Sequence, residues 1–188
     1  MHIGLYFGSF NPVHNGHIAI AEYMYQHFHF EEIWFVVSPS NPAKKEDDLL
    51  DEYKRLELVK IAIKDKSYFI PSDIEFYMQR PSYTCFTLQE IHTKYPANHF
   101  SLILGSDNID NIALWKNYKE ILQNYIIYVY PRSKQINRIL QKNIIYTNPK
   151  LLDISSTFIR EKIKNKENVS TWLHPKVLEI IEQENLYQ

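Results

Sequence analysis

Apolar and polar positions follow two rhythms along the chain. Short runs rich in β-branched and aromatic residues recur at 3–7, 32–37, 68–70, 100–104, 125–130 and 144–146. Runs of that composition and length read as buried strands. Between them lie longer segments, 17–28, 50–64, 84–94, 115–124 and 133–141, predicted as helices. In the second of these Leu56, Val59 and Ile63 return at helical spacing, with charges on the opposite face. Two further helices, 156–164 and 175–184, close the chain. Alternation of this kind predicts an α/β protein with a doubly wound, mostly parallel sheet and helices on both faces. The polar stretch 38–48 reads as a long loop after the second strand. In such sheets ligands bind beyond the carboxyl ends of strands, so this loop is expected to cover a site.

Composition narrows the function. At 188 residues and 45% hydrophobic content the chain suits one domain over 1–188, with the C-terminal helices from about residue 155 packing on the same core. Its 21 basic and 22 acidic residues leave a net charge of −1, which argues against general binding of nucleic acid or a membrane surface. Cys85 is the one cysteine, which excludes an internal disulfide framework and a multi-cysteine metal cluster. No signal-type leader is apparent, and no segment approaches about 18 continuous apolar residues. A cytoplasmic location is therefore expected, and the composition leaves room for a homo-oligomer.

Two of only four glycines fall in "GSFNPVHNGH", directly after the first strand. Gly8 stands where the chain must turn sharply and where backbone can come close to a ligand. Gly16 opens the first helix, whose leading N–H groups face outward and suit an anion. His14 and His17, three apart, can lie on one side of that terminus and donate to phosphate oxygens. A plain Gly-Pro turn with two exposed histidines is the bland alternative. Metal binding by the pair lacks a third ligand at useful spacing, so no protein-bound metal is expected. The stretch is neither a Walker loop nor G-x-G-x-x-G.

A second stretch, "ISSTFIR", has matching chemistry. Ser155, Ser156 and Thr157 place three hydroxyls at a helix start, and Arg160 follows one turn later. A guanidinium there can bond an anion in two-pronged fashion. The alternative is an ordinary helix cap with a surface arginine.

Together, G-x-F-x-P-x-H-x-G-H and I-S-S-T-x-I-R resemble the paired signature of the nucleotidyltransferase superfamily, whose fold is Rossmann-like. Further stretches, running over nearly the whole chain, resemble the bacterial nicotinate mononucleotide adenylyltransferases. These are "RPSYTCFTL", "LILGSDN", "ALWKNYKEIL" and the closing "HPKVLEIIEQENLY". The resemblance implies transfer of the adenylyl group of ATP to nicotinate mononucleotide in NAD biosynthesis, with Mg²⁺ as ATP's companion. It implies His14, His17 and Arg160 as catalytic residues. Gly8, Ser9, Phe10, Gly16, Gly105, Asp107, Ile154, Ser155, Ser156 and Thr157 would join them in binding ATP. Lys44, Ser82, Tyr83, Thr84, Trp115 and Arg132 would bind the acceptor.

On residue type alone several of these have plainer readings: Trp115 as a core aromatic, Asp107, Ser82 and Thr84 as helix caps. The chain also departs from the family pattern. Phe86 stands where an Asp is usual, Ala43 where many members have His, Asn11 where Asp is commoner, and Arg132 is shifted within "YPRSK". Alternatives are an adenylyltransferase for phosphopantetheine or nicotinamide mononucleotide, and a sensor that binds nucleotide without turnover.

Overall fold

The protein is described from a computed structural model covering residues 1–39, 49–132, 139, 141–150 and 152–188. Six strands, β1 (His2–Gly8), β2 (Glu32–Val37), β3 (Phe69–Ser72), β4 (His99–Gly105), β5 (Ile126–Tyr130) and β6 (Ile144–Tyr146), form one sheet. Their order is β3-β2-β1-β4-β5-β6, and every neighbouring pair is parallel. In register, Leu5 of β1 lies between Trp34 of β2 and Leu102 of β4. The helices are α1 (Asn15–His27), α2 (Glu52–Ile63), α3 (Thr84–Lys94), α4 (Ser106–Asp110), α5 (Tyr118–Asn124), α6 (Ser156–Lys164) and α7 (Pro175–Gln183).

Side chains alternate across the sheet with the two-residue period of a strand. Tyr6, Ile33, Phe35, Val37, Ile103, Tyr128 and Tyr130 enter one core, closed by α1, α2, α6 and α7 through Met24, Val59, Ile159 and Val177. Leu5, Trp34, Val36, Leu102, Leu104, Ile127 and Val129 enter a second core, closed by α3, α4 and α5 through Leu88, Ile109 and Ile121. Both faces are thus covered, as a parallel sheet requires. The chain winds outward from β1 to β3, then returns to β4 beside β1. At that reversal the loops leaving β1 and β4 run to opposite faces and open a crevice at the strands' carboxyl ends. Among the described residues no helix is long and apolar enough to cross a membrane.

Several boundaries differ from expectation. α2 begins at Glu52 because Asp51 caps it, accepting from the N–H groups of Tyr53 and Lys54 at 3.0 and 3.3 Å. The helix expected over 115–124 starts only at Tyr118. Ile112–Leu114 forms a separate tight turn, Trp115 is extended, and Asn117 is left-handed at φ 53°, which a continuous helix does not allow. α4 was not foreseen, since five residues are too few to display a helical period. The expected helix 133–141 lies almost wholly outside the described residues, as does most of the loop 38–48.

Candidate active site

The loop after β1 is shaped by side-chain space more than by glycine torsions. No glycine has positive φ; Phe10 takes the left-handed conformation instead, at φ 46°. A Cβ on Gly8 would stand 2.8 Å from the Phe10 ring, so Gly8 leaves room for that ring to fold back under the loop. Phe10 then packs edge-on against Tyr6 and against His17. The expectation that Gly8 itself supplies the unusual turn is therefore corrected.

α1 starts at Asn15 with His14 as its N-cap, which puts both histidines at the terminus. Their rings stack at 3.7 Å between centroids, and both are buried. The His14 backbone N–H donates to His17 Nδ1 at 3.2 Å. A neutral imidazole that accepts at Nδ1 carries its proton on Nε2, so His17 presents an Nε2–H donor. The His17 N–H is committed to the His14 carbonyl at 2.9 Å. This leaves His14 Nδ1 buried without a partner. Burial first, and the nearby Arg132 charge second, hold the His14 pKa down to about 3. It is therefore neutral at physiological pH. A Cβ on Gly16 would come within 3.0 Å of His14 Nδ1 and 3.1 Å of Ile154, so Gly16 is what lets the ring lie over the helix start.

The second motif meets the first directly. Ser155 caps α6, its Oγ accepting from the Phe158 N–H at 3.1 Å. Ser156 Oγ donates to the Pro12 carbonyl at 3.0 Å, and Arg160 Nη1 to the Asn11 carbonyl at 2.9 Å. Arg160 Nε is buried without a partner. Ser155, Ser156 and Arg160 thus each brace helix or loop. Thr157, itself exposed, follows in the same first turn. From the far terminus Tyr187 donates to Asn11 Oδ1 at 2.9 Å.

Across the crevice, Gly105 caps α4 and Asp107 lies inside its first turn, so Asp107 is not the cap it resembles. Its carboxylate takes Arg132 Nη1 at 3.2 Å, and the Arg132 N–H donates to Ser106 Oγ at 2.9 Å. A Cβ on Gly105 would collide with Asp107 and approach Arg132 Cδ to 2.9 Å. Arg132, assigned by resemblance to the acceptor, thus stands over the ends of β4 and β5 beside the residues assigned to ATP.

The segment assigned by resemblance to the acceptor is anchored by a residue that sequence reasoning missed. Glu75 is 2% exposed and accepts from Ser82 Oγ at 2.9 Å and Thr87 Oγ1 at 2.7 Å. Burial raises its pKa, while hydrogen bonds from Thr87, Ser82 and Ser38 oppose the shift. Neither Ser82 nor Thr84 caps α3; the N-cap is Tyr83, whose side chain makes no capping bond. The Phe86 N–H bonds the Tyr83 carbonyl at 2.9 Å, whereas the Thr84 and Cys85 N–H groups meet no acceptor among the described residues. Lys116, also missed, sets its ammonium 5.0 Å from the Tyr83 ring centroid and 4.6 Å from that of Phe86. Trp115 packs partly buried against the core beneath. Lys44 and Ala43 fall outside the described residues.

The third missed residue is Arg55, fully buried on α2. A signal existed: Arg55, Leu58, Val59 and Ile63 share the apolar stripe of the helix, where an arginine is out of place.

Comparison with known proteins agrees with this geometry. The cytidylyltransferase-like family matches residues 5–162. The chain is 49% identical over 195 residues to the "Probable nicotinate-nucleotide adenylyltransferase" of Flavobacterium psychrophilum, covering all of both chains. It is 45% identical over 195 residues to the protein of the same description in Flavobacterium johnsoniae, again over both full lengths. In fold it is similar to Plasmodium falciparum nicotinic acid mononucleotide adenylyltransferase complexed with NaAD. That likeness has a TM-score of 0.82 at 21% identity, covering 99% of this chain and 97% of the other. The chain belongs to the cytidylyltransferase-like family and, within it, to the nicotinate-nucleotide adenylyltransferases.

Proposed function

We propose that the chain carries out its family's reaction by positioning and charge stabilisation, with ATP and nicotinate mononucleotide bound together over the strand ends. A 5′-phosphate oxygen of the mononucleotide attacks the α-phosphorus of ATP in line. The bond from that phosphorus to its bridging oxygen breaks, and the electron pair leaves on pyrophosphate, giving deamido-NAD. The attacking oxygen is already ionised, so no covalent protein nucleophile is needed. His17 and neutral His14 face the α- and β-phosphates. The expected free N–H groups at the start of α1 are not the donors, since those of Asn15 and His17 are taken by the Trp172 and His14 carbonyls at 2.8 and 2.9 Å. Ser156, Thr157 and Arg160 hold the part that leaves as pyrophosphate. The observation that carries this assignment is the stacked, buried histidine pair at the α1 terminus, tied through the Asn11 and Pro12 carbonyls to the start of α6.

Mg²⁺ would enter this site as ATP's companion, held through phosphate oxygens and water, where it would neutralise triphosphate charge.

For the acceptor, the open Thr84 and Cys85 N–H groups and the Lys116 ammonium favour a ring carboxylate over a carboxamide. The test is pyrophosphate release with nicotinate mononucleotide, nicotinamide mononucleotide and phosphopantetheine at saturating ATP. The acid should exceed the amide in kcat/KM by at least about tenfold, or about 1.4 kcal/mol. Equal use of the two, or preference for phosphopantetheine, would overturn the acceptor assignment. Thermal protection by ATP with no pyrophosphate from any acceptor would indicate a sensor.

A further inference from the structure

A buried guanidinium is costly unless its donors are met, and Arg55 meets them in an unusual way. Its Nε donates to the Leu50 carbonyl at 2.7 Å, Nη1 to the carbonyls of Ser9 and Ser38 at 2.7 Å each, and Nη2 to that of Pro39 at 2.8 Å. These bonds spend a full positive charge on backbone oxygens from three separate loop segments: the turn after β1, the exit of β2 and the entry to α2. Burial lowers the Arg55 pKa, with Glu52 the leading opposing influence.

The Ser9 bond has a directional consequence. Only Asn11–Pro12 and Arg80–Pro81 are cis among the described peptides, so the Ser9–Phe10 unit is trans and planar. In such a unit C=O and N–H point in opposite directions. Pulling the Ser9 carbonyl toward Arg55 therefore turns the Phe10 N–H away from Arg55, to the opposite side of the loop. It also holds Phe10 in its left-handed conformation, which a bulky side chain disfavours. No acceptor among the described residues takes that N–H.

We propose that Arg55 is a positioning residue for adenylyl transfer. By gathering the Ser9, Ser38 and Pro39 carbonyls it aims the Phe10 N–H at the triphosphate and fixes the loop that carries His14. This rests on the phosphate-site assignment above. Arg55 touches no substrate; it acts through the peptide plane it holds.

Arg55→Ala and Arg55→Lys test the idea, with thermal unfolding, binding of a non-hydrolysable ATP analogue by calorimetry, and kcat measured on each. Arg55→Ala should fold, lose at least about tenfold in analogue affinity and in kcat, and regain kcat when free guanidinium ion is added at millimolar level. Arg55→Lys, with three donors for four carbonyls, should fall between. A folded Arg55→Ala with wild-type affinity and kcat overturns the proposal. So does guanidinium that restores thermal stability but not kcat, which is the mark of a purely architectural residue. If Arg55→Ala does not fold, Arg55→Lys decides: wild-type kinetics, or loss of the fold in it as well, overturns the proposal. Failure of the unsubstituted protein to bind the analogue refutes the phosphate site and this proposal with it, whereas the variant results bear on Arg55 alone.

Discussion

His14 and His17 stack ring on ring at 3.7 Å while the backbone of the first donates to Nδ1 of the second at 3.2 Å. Each histidine thus sets the state of its neighbour: stacking helps bury His14, and the hydrogen bond selects the His17 tautomer. His14 is thereby held neutral, and His17 is fixed with Nδ1 as an acceptor.

Removing the His17 donor should fall mainly on the chemical step. His17→Ala is expected to lower kcat by about 10² or more, the scale for one preorganised donor, with a smaller change in ATP affinity. Saturating kinetics with both substrates provide the check. Unchanged kcat would remove His17 from the catalytic set.

His14 gives a signature in acid. Its pKa of about 3 in the fold lies below the ordinary 6.5, so folding favours its neutral form. That contribution is complete above about pH 6.5 and is lost as pH falls toward 3, at up to about 1.4 kcal/mol per pH unit. Urea unfolding from about pH 7 down to pH 4 should therefore show a steeper decline in the wild type than in His14→Asn, carboxylate effects being common to both. Parallel declines would contradict a buried neutral His14.

Arg160→Ala should act on ATP. It removes a charged hydrogen bond of about 1.5–3 kcal/mol and the brace on the Asn11 carbonyl. The KM for ATP is expected to rise about tenfold or more, with the acceptor KM nearly constant. A rise confined to the acceptor KM would place Arg160 on the other substrate.

Glu75→Gln should do the converse. Gln offers one acceptor oxygen where Glu75 now serves both Ser82 and Thr87, so the start of α3 loses part of its anchor. The acceptor KM should rise severalfold while the ATP KM holds. Equal effects on both would mean that Glu75 supports the fold at large.

What could be read in the sequence was what repeats or what bonds locally. Short continuous apolar runs in β1, β2, β4 and β5 announced the sheet, because each strand buries both faces. The glycine-histidine loop and the Ser-Ser-Thr helix start could be placed at helix termini from local residue type alone, and the structure puts both there, at α1 and α6. Strand order was not legible, since local pattern does not say that β4 returns beside β1. Arg55 and Glu75 were passed over because one charged residue inside an apolar run leaves no period, and their partners are backbone or hydroxyl groups distant in sequence. The start of α5 was misplaced because Asn117 breaks the helix through a torsion, not a change in polarity.

The reversal between β1 and β4 also divides responsibility within the site. Helices α1 and α6, to which the triphosphate is assigned above, lie on one core; α3 and α5, which bracket the segment assigned to the acceptor, lie on the other. Substitutions in α3 and α5 therefore reach the acceptor segment without passing through the core that holds α1 and α6. Among the described residues the Arg132–Asp107 pair, at 3.2 Å, bridges the two sets of residues, and it is the point where a change of acceptor would be felt by the nucleotide side.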